Sequence, residues 1–267
     1  MTNSAPHIND TRPRVGLFVT CLVDLFRPSV GFAAVKLIED AGCVVEVPVA
    51  QSCCGQPAER AGDLDDLRAI AETTIRAFEE FDYVVAPSGT CASVLKTQYA
   101  PLFSGNSMWE ARAQAFSAKV HELVSFLVDV LGISAVEANV SGSVTYHDGC
   151  AGLTQLGVQT QPRLLLASVK GLRLKEMARA DACCGLAGVS CAQAASRTAA
   201  SEKTAQIREA GAGTLLSGDL GCLISIAGRL KREGSAIEVR HVAEVLAGMN
   251  DTPPIGGPST RRDAKRA

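Results

Sequence analysis

The sequence predicts an α/β fold made of two similar halves from an internal duplication, each with a small parallel sheet flanked by helices and with cysteine loops at the strand ends. Two observations predict it. Short apolar runs alternate along the chain with segments of helical periodicity, and eight of the ten cysteines recur in two copies of one pattern. The copies are Cys21, Cys53-Cys54-Gly55, Cys91 and Cys150, Cys183-Cys184-Gly185, Cys222, with spacings of 32 then 37 residues in the first and 33 then 38 in the second. A duplication that keeps thiols rather than apolar bulk points to thiol chemistry, because core cysteines exchange readily for other small apolar residues.

The elements follow in order. Val15 to Val19 reads as a strand ending near Cys21, and Ser29 is placed to cap a helix whose apolar positions Val30, Ala33, Ala34, Leu37, Ile38 and Ala41 precede a stop at Gly42. Val44 to Val49 is the next strand and leads to Cys53. A helix from about Asp63 carries Leu67, Ile70, Ala71, Thr74 and Phe78 on one face, and Tyr83 to Ala86 is a strand closed by Pro87-Ser88-Gly89-Thr90-Cys91. The second half repeats this order: Val144 to Tyr146 before Cys150, Leu172 to Leu174 before Cys183, and Thr214 to Ser217 before Cys222. A helix over 110–131 is expected to join the halves. The domain limits are then 13–135 and 136–249, with disordered ends at 1–12 and at 250–267, the latter rich in Pro, Gly and basic residues.

Composition narrows the function. At 267 residues and 47% hydrophobic content the chain can build its core without disulfides, and Met1 to Arg14 lacks the apolar stretch of a signal peptide, so a reducing, cytoplasmic location is expected. The net charge of −2 gives no basic surface for nucleic acid, and no apolar run has the length of a membrane span. No Gly-rich phosphate loop with its required neighbours is present, since Gly211, Gly213 and Gly218 are scattered, so nucleotide or flavin binding has no support in the sequence.

Alternating strands and helices favour parallel sheets, whose ligands bind at the carboxyl ends of the strands. The cysteines lie just past those ends, where helix amino termini supply N–H groups that favour anionic sulfur. Gly55 and Gly185 fit the sharp turn needed to aim two adjacent cysteines at one place. Four thiolates per half suit either a four-iron, four-sulfur cluster or a tetrahedral zinc ion, and metal-free redox thiols are a third reading. The absence of paired C-x-x-C knuckles and the wide strand-end spacing favour the iron–sulfur cluster, one per half, held by Cys21, Cys53, Cys54 and Cys91 and by Cys150, Cys183, Cys184 and Cys222.

These residues carry a resemblance. The duplicated Cys…Cys-Cys-Gly…Cys pattern resembles the cysteine-rich CCG domain found in heterodisulfide reductase and in the iron–sulfur component of glycolate oxidase. Cys21-Leu22-Val23-Asp24, Gln51-Ser52-Cys53-Cys54-Gly55-Gln56-Pro57, Pro87-Ser88-Gly89-Thr90-Cys91, Tyr146-His147-Asp148-Gly149-Cys150, Gln161-Pro162-Arg163-Leu164-Leu165 and His241-Val242-Ala243-Glu244-Val245-Leu246 resemble the lactate utilization protein A family more closely. The resemblance implies an iron–sulfur electron-transfer subunit in a system oxidising L-lactate to pyruvate, with a ferredoxin-like iron–sulfur subunit and a third subunit as partners. The other two readings it leaves open are a thiol–disulfide enzyme like heterodisulfide reductase and a zinc-stapled structural subunit.

The chain departs from the heterodisulfide reductase pattern at Ser88 and Asp219, which stand three residues before Cys91 and Cys222 where that pattern has a further cysteine. After Cys184 it reads Gly185-Leu186-Ala187-Gly188-Val189-Ser190-Cys191 in place of a Gly-Phe-Gly-Gly-Thr-Phe run. Cys43 and Cys191 have no counterpart in the other half; Cys43 reads as a packing residue, and Cys191 as packing or a fifth ligand of the second site. His147 and Asp148 precede Cys150. The histidine either anchors its loop, tunes the cluster, or replaces a ligand. His241 is expected to open the last helix with Glu244 completing a capping arrangement.

Overall fold

The computed structural model describes residues 12–186 and 193–257. The first half runs β1 (Arg14–Leu17), α1 (Cys21–Phe26), α2 (Pro28–Asp40), β2 (Val44–Glu46), α3 (Gln56–Ala61), α4 (Leu64–Phe78), β3 (Tyr83–Ala86), α5 (Gly89–Ser93), α6 (Tyr99–Leu102), α7 (Glu110–Ala118), β4 (Val120–Glu122) and α8 (Leu123–Ser125). The second runs β5 (Asn139–Tyr146), α9 (Cys150–Leu156), α10 (Thr160–Ser168), β6 (Lys170–Leu174), α11 (Gln193–Glu209), β7 (Thr214–Ser217), α12 (Leu220–Arg232), β8 (Glu238–His241) and α13 (Val242–Leu246). Two four-stranded sheets result, in the orders β2-β1-β3-β4 and β6-β5-β7-β8, and every pairing is parallel. The same permutation in both sheets is the structural form of the duplication.

Several elements differ from expectation. The helix expected over 110–131 is interrupted. Its middle, Val120 to Glu122, pairs with Val84 to Ala86 as a fourth strand, and Phe126 to Val130 continues as a π-helical turn. Val120, Leu123, Val124 and Leu127 have helical spacing, but pairing with β3 satisfies backbone groups that a helix would otherwise bond internally. Glu238 to His241 likewise pairs with β7 as a strand not foreseen in the sequence. β1 ends at Leu17 because Thr20 turns the chain by accepting the Val23 N–H on its hydroxyl, and β2 stops at Glu46, just ahead of Pro48. Arg27, not Ser29, is the cap of α2, and the Ser29 hydroxyl is spent on Glu244.

Strand alternation assigns the faces. Val15 and Leu17 of β1 point into a core shared by both halves, with Val30, Leu37 and Ile38 of α2, Val144 and Tyr146 of β5, and Val242 and Leu246 of α13. The opposite face, with Phe18, Val84 and Ala86, packs on Leu67, Ile75 and Phe78 of α4 and on Phe116 of α7. At Gly16 this packing leaves no room for a side chain, since a Cβ would stand 2.6 Å from the Phe78 ring.

Among the described residues one ion pair joins the halves. Arg27, at the start of α2, holds the Glu244 carboxylate of α13 through two bonds of 2.9 and 3.1 Å; Glu244 also accepts from Ser29 at 2.6 Å and from the His241 N–H at 3.3 Å. His241 caps α13 through its own ring, accepting the Ala243 N–H, as the capping arrangement predicts. Residues 250–257, expected to belong to the unstructured tail, are held by Arg240 and Lys231, by the Ile255 N–H donating to Val239, and by Arg27 donating to the Pro253 carbonyl.

Glu244 has no exposed surface, so removing its counter-charge leaves a buried carboxylate unpaired. Arg27→Ala is therefore expected to destabilise the protein by roughly 3–5 kcal/mol. Urea unfolding reads this directly, and an unchanged midpoint would show that the pair does not hold the halves together.

Candidate functional site: two cysteine sets at the sheet edges

In the first half, β1, β2 and β3 all end at one edge, and the chain beyond each end delivers cysteines to it. Cys21 is the first residue of α1 and Cys91 the third of α5, while Cys53 and Cys54 lie in the loop before α3. Cys21 and Cys53 are 3.9 Å apart at sulfur, and Cys54 and Cys91 are 3.2 Å apart. The Cys53 and Cys54 side chains also interact, so the four sulfurs form one connected set. Gly55 takes φ of +86°, and a Cβ there would stand 2.5 Å from Leu67, which explains why the Cys-Cys turn needs glycine. The Tyr99 hydroxyl, fully buried, donates to the Cys54 carbonyl at 3.1 Å and fixes this loop from below.

The second half repeats the placement. Cys150 opens α9, Cys222 is the third residue of α12, and Cys183 and Cys184 follow β6, with Gly185 at φ of +77°. Cys184 and Cys222 lie 3.0 Å apart at sulfur, and one ligand atom from each of His147, Cys184 and Cys222 lies within 4.8 Å of the others. Cys150 interacts electrostatically with Cys184 but stands outside this tighter group. Cys183 is disulfide-bonded, whereas the other seven repeat cysteines are free thiols. Cys191 lies outside the described residues, and Cys43 is buried in the shared core just before β2, at the end of the parallel sheet opposite the one that delivers the cysteines.

Crowding controls the ionisation of these sulfurs. The Cys53 thiol is pushed well up by its hydrogen bond to Cys54 and by burial; Cys21 and Cys150 are raised by burial first and by a neighbouring cysteine second. In the Cys184–Cys222 pair, Cys184 is pulled down by the hydrogen bond it shares with Cys222 and by His147 beside it, and Cys222 is raised by the same hydrogen bond and by burial. Adjacent sulfurs that oppose one another's ionisation are accommodated together by a bound cation, which deprotonates its thiol ligands outright. Backbone N–H groups of Leu22, Gln56, Ala151 and Leu186 favour the thiolates of Cys21, Cys54, Cys150 and Cys184. This donor set fits a thiolate-bound metal or cluster in each half.

Ser88 and Asp219 acquire a role that sequence reasoning missed. Each caps the helix carrying the last cysteine of its set, and the two caps meet: the Ser88 hydroxyl donates to Asp219 at 3.1 Å, and the Thr90 N–H donates to the same oxygen at 3.0 Å. The other Asp219 oxygen accepts from the N–H groups of Gly221 and Cys222 at 3.1 and 3.4 Å. One carboxylate thus serves the amino termini of both α5 and α12. The signal was present in part, since Ser and Asp three residues before a helical cysteine are capping residues. The approach of the halves also depends on Gly89, where a Cβ would lie 2.9 Å from the Gly152 backbone. Asp148 is held by Arg163 through bonds of 2.8 and 3.0 Å, which gives the Gln161-Pro162-Arg163 segment a purpose in orienting the loop before Cys150.

Two doubly wound sheets, each presenting cysteines from three strand ends, define a duplicated cysteine-cluster domain. The family described as "Cysteine-rich domain" (CCG) matches residues 15–96 and 144–227, one copy in each half. Lactate utilization protein A of Geobacillus kaustophilus (strain HTA426) is 45% identical over 89% of this chain and 100% of its own length. The protein of the same name from Bacillus cytotoxicus is 41% identical over 87% of this chain and 98% of its own. This chain belongs to the lactate utilization protein A family of duplicated cysteine-rich domains. A solved structure of a hypothetical protein from Helicobacter pylori shares the fold, with a TM-score of 0.61 and 10% identity over 90% of this chain and 49% of that one. Among the described residues no helix is long and apolar enough to cross a membrane.

Glu122 ends β4 beside this junction, fully buried, and caps α8 through the N–H groups of Val124 and Ser125. Burial raises its carboxyl to about 7. The folded state therefore keeps a proton that the unfolded chain releases at ordinary carboxylate pH, and stability should fall as pH rises through that window to about 7. Urea midpoints at pH 5 and 7.5 should show this loss in the wild type and a smaller one in Glu122→Gln; parallel profiles would rule the effect out.

Proposed function

We propose that this chain is an iron–sulfur electron-transfer subunit of a cytoplasmic complex that oxidises L-lactate to pyruvate. The observation that carries the reading is the pair of convergent cysteine sets in a chain similar over its length to proteins named for lactate utilization. In this reading Cys21, Cys53, Cys54 and Cys91 hold one four-iron, four-sulfur cluster. Cys150, Cys184 and Cys222, with Cys183 in its reduced form, hold the other. When bound, each cluster supplies one-electron transfer.

The residues around the sulfurs support that assignment. N–H groups at Leu22, Gln56, Ala151 and Leu186 offset the negative charge of the thiolates, and Phe18, Tyr99 and Leu67 shield the first set from water. L-Lactate gives pyruvate by losing two electrons and two protons, so two one-electron sites match the electron count of one turnover. The partners proposed are a ferredoxin-like iron–sulfur subunit and a third subunit, docked on the strand-end edge. Large exposed apolar residues support this docking face: Leu25 and Phe26 on the helix opened by Cys21, Phe32 on α2, and Val47 and Val49 on the approach to Cys53.

Anaerobically reconstituted protein is expected to contain iron and acid-labile sulfide and to absorb broadly near ~400 nm. Colourless protein with stoichiometric zinc would replace this reading with the structural one. Cys54→Ser and Cys184→Ser should each lose one cluster and keep the other, whereas Cys43→Ala should keep both at a cost on the order of 1 kcal/mol; loss of iron from Cys43→Ala would contradict the assignment.

The purified chain should not reduce an artificial acceptor with L-lactate unless its partner subunits are added. Turnover by the isolated chain would place the substrate site here, and reduction of a mixed disulfide would favour the heterodisulfide reductase-like function.

A further inference from the structure

We propose that His147 is a nitrogen ligand of the second centre, completing a set with Cys150, Cys184 and Cys222 in the place otherwise given to the disulfide-bonded Cys183, so that the two centres of this chain differ in kind: thiolate alone in the first half, thiolate and imidazole in the second. This rests on the reading that the second cysteine set holds an iron–sulfur cluster. The ring of His147 is buried just past the end of β5, with one nitrogen, Nδ1, 3.2 Å from the Ala180 carbonyl oxygen. A carbonyl oxygen can only accept, so Nδ1 carries the hydrogen and the neutral ring presents a bare lone pair at Nε2. Nε2 is buried, makes no geometrically sound hydrogen bond, and faces the Cys184 sulfur, whose thiolate the ring favours. The group of ligand atoms it completes is made of His147, Cys184 and Cys222, mutually within 4.8 Å.

A role as a loop anchor accounts for Nδ1 but not for the placement of Nε2 among two sulfurs, and a buried nitrogen with no well-formed hydrogen bond is costly unless something binds it. The same Ala180 carbonyl also accepts from the buried Lys203 ammonium at 3.3 Å and from the Asp148 N–H at 3.0 Å, so the group that orients the ring is itself held in place. The arrangement, with one ring nitrogen donating to a main-chain carbonyl and the other directed at sulfur ligands, is how metal-binding histidines are oriented.

The first half has no equivalent. The Phe18 N–H donates to the Val85 carbonyl as the His147 N–H donates to that of Leu216, each at 2.8 Å, so the two residues occupy one position of the repeated fold. Phe18 offers no ligand atom there. A neutral imidazole leaves a cluster less negative than a thiolate would, and histidine ligation raises the potential of iron–sulfur centres. The second centre is therefore the one that holds an electron more readily.

The full-length protein, reconstituted anaerobically with iron and sulfide and reduced with dithionite, provides the test by pulsed electron paramagnetic resonance. One centre should show a strongly coupled nitrogen that changes to the nitrogen-15 pattern when histidine alone is labelled. His147→Ala should lose that coupling. His147→Cys should lose it too, while retaining full iron content and giving that centre a lower midpoint potential, a result that a merely structural histidine would not produce. Full iron content without a strongly coupled histidine nitrogen, or a coupling that survives His147→Ala, would overturn the proposal. Wild-type protein that takes up no iron would sink it together with the iron–sulfur reading, and iron analysis distinguishes that failure from the others.

Discussion

Parallel pairing of β1 with both β2 and β3 is the constraint on which the rest of each half depends. It turns three strand ends toward one edge, and with them cysteines that are 32 and 37 residues apart along the chain. Reversal of any one strand would carry its cysteine to the opposite edge. The order β2-β1-β3-β4 also puts the break in strand succession between β1 and β3, the kind of point at which open α/β sheets bind their ligands. Cys21 and Cys91, at the starts of the helices after those two strands, flank it.

The junction between the halves is built from a different kind of contact. Arg27 with Glu244 and Ser88 with Asp219 are polar pairs with little exposure, set against an apolar core that draws side chains from both sheets. Asp219 is the more consequential, because its two oxygens serve the helices that present Cys91 and Cys222. A shift of that carboxylate would move the supports of both cysteine sets together. The close approach of Gly89 and Gly152 beside it leaves no slack at this point.

The duplication has kept the sulfurs and released most of what surrounds them. Ser88 matches Asp219, Glu122 matches His241 as the cap that follows the last strand, and Phe18 matches His147. Helix starts can be capped by any of several oxygen or nitrogen acceptors, so those positions drift without loss of fold. A strand-end position beside sulfur tolerates phenylalanine as shielding or histidine as a donor, and the choice changes the chemistry while leaving the backbone alone.

The sequence by itself determined the fold class, the duplication, the cysteine sets and the glycines of the Cys-Cys turns, because periodicity, thiol spacing and the φ restrictions of L-residues are local properties. Tyr83 to Ala86 and Thr214 to Ser217 could be delimited to the residue, each being a central, largely apolar strand. β4 and β8 could not. Each pairs with a single neighbour, and Val120 to Glu122 and Glu238 to His241 are short and carry polar residues suited to a sheet margin. Their strand character comes from a partner distant in sequence, and so does the meeting of Ser88 with Asp219. The bare Nε2 of His147 was decided by the tertiary structure alone, since it depends on an Ala180 carbonyl that only the folded chain brings to the other side of the ring.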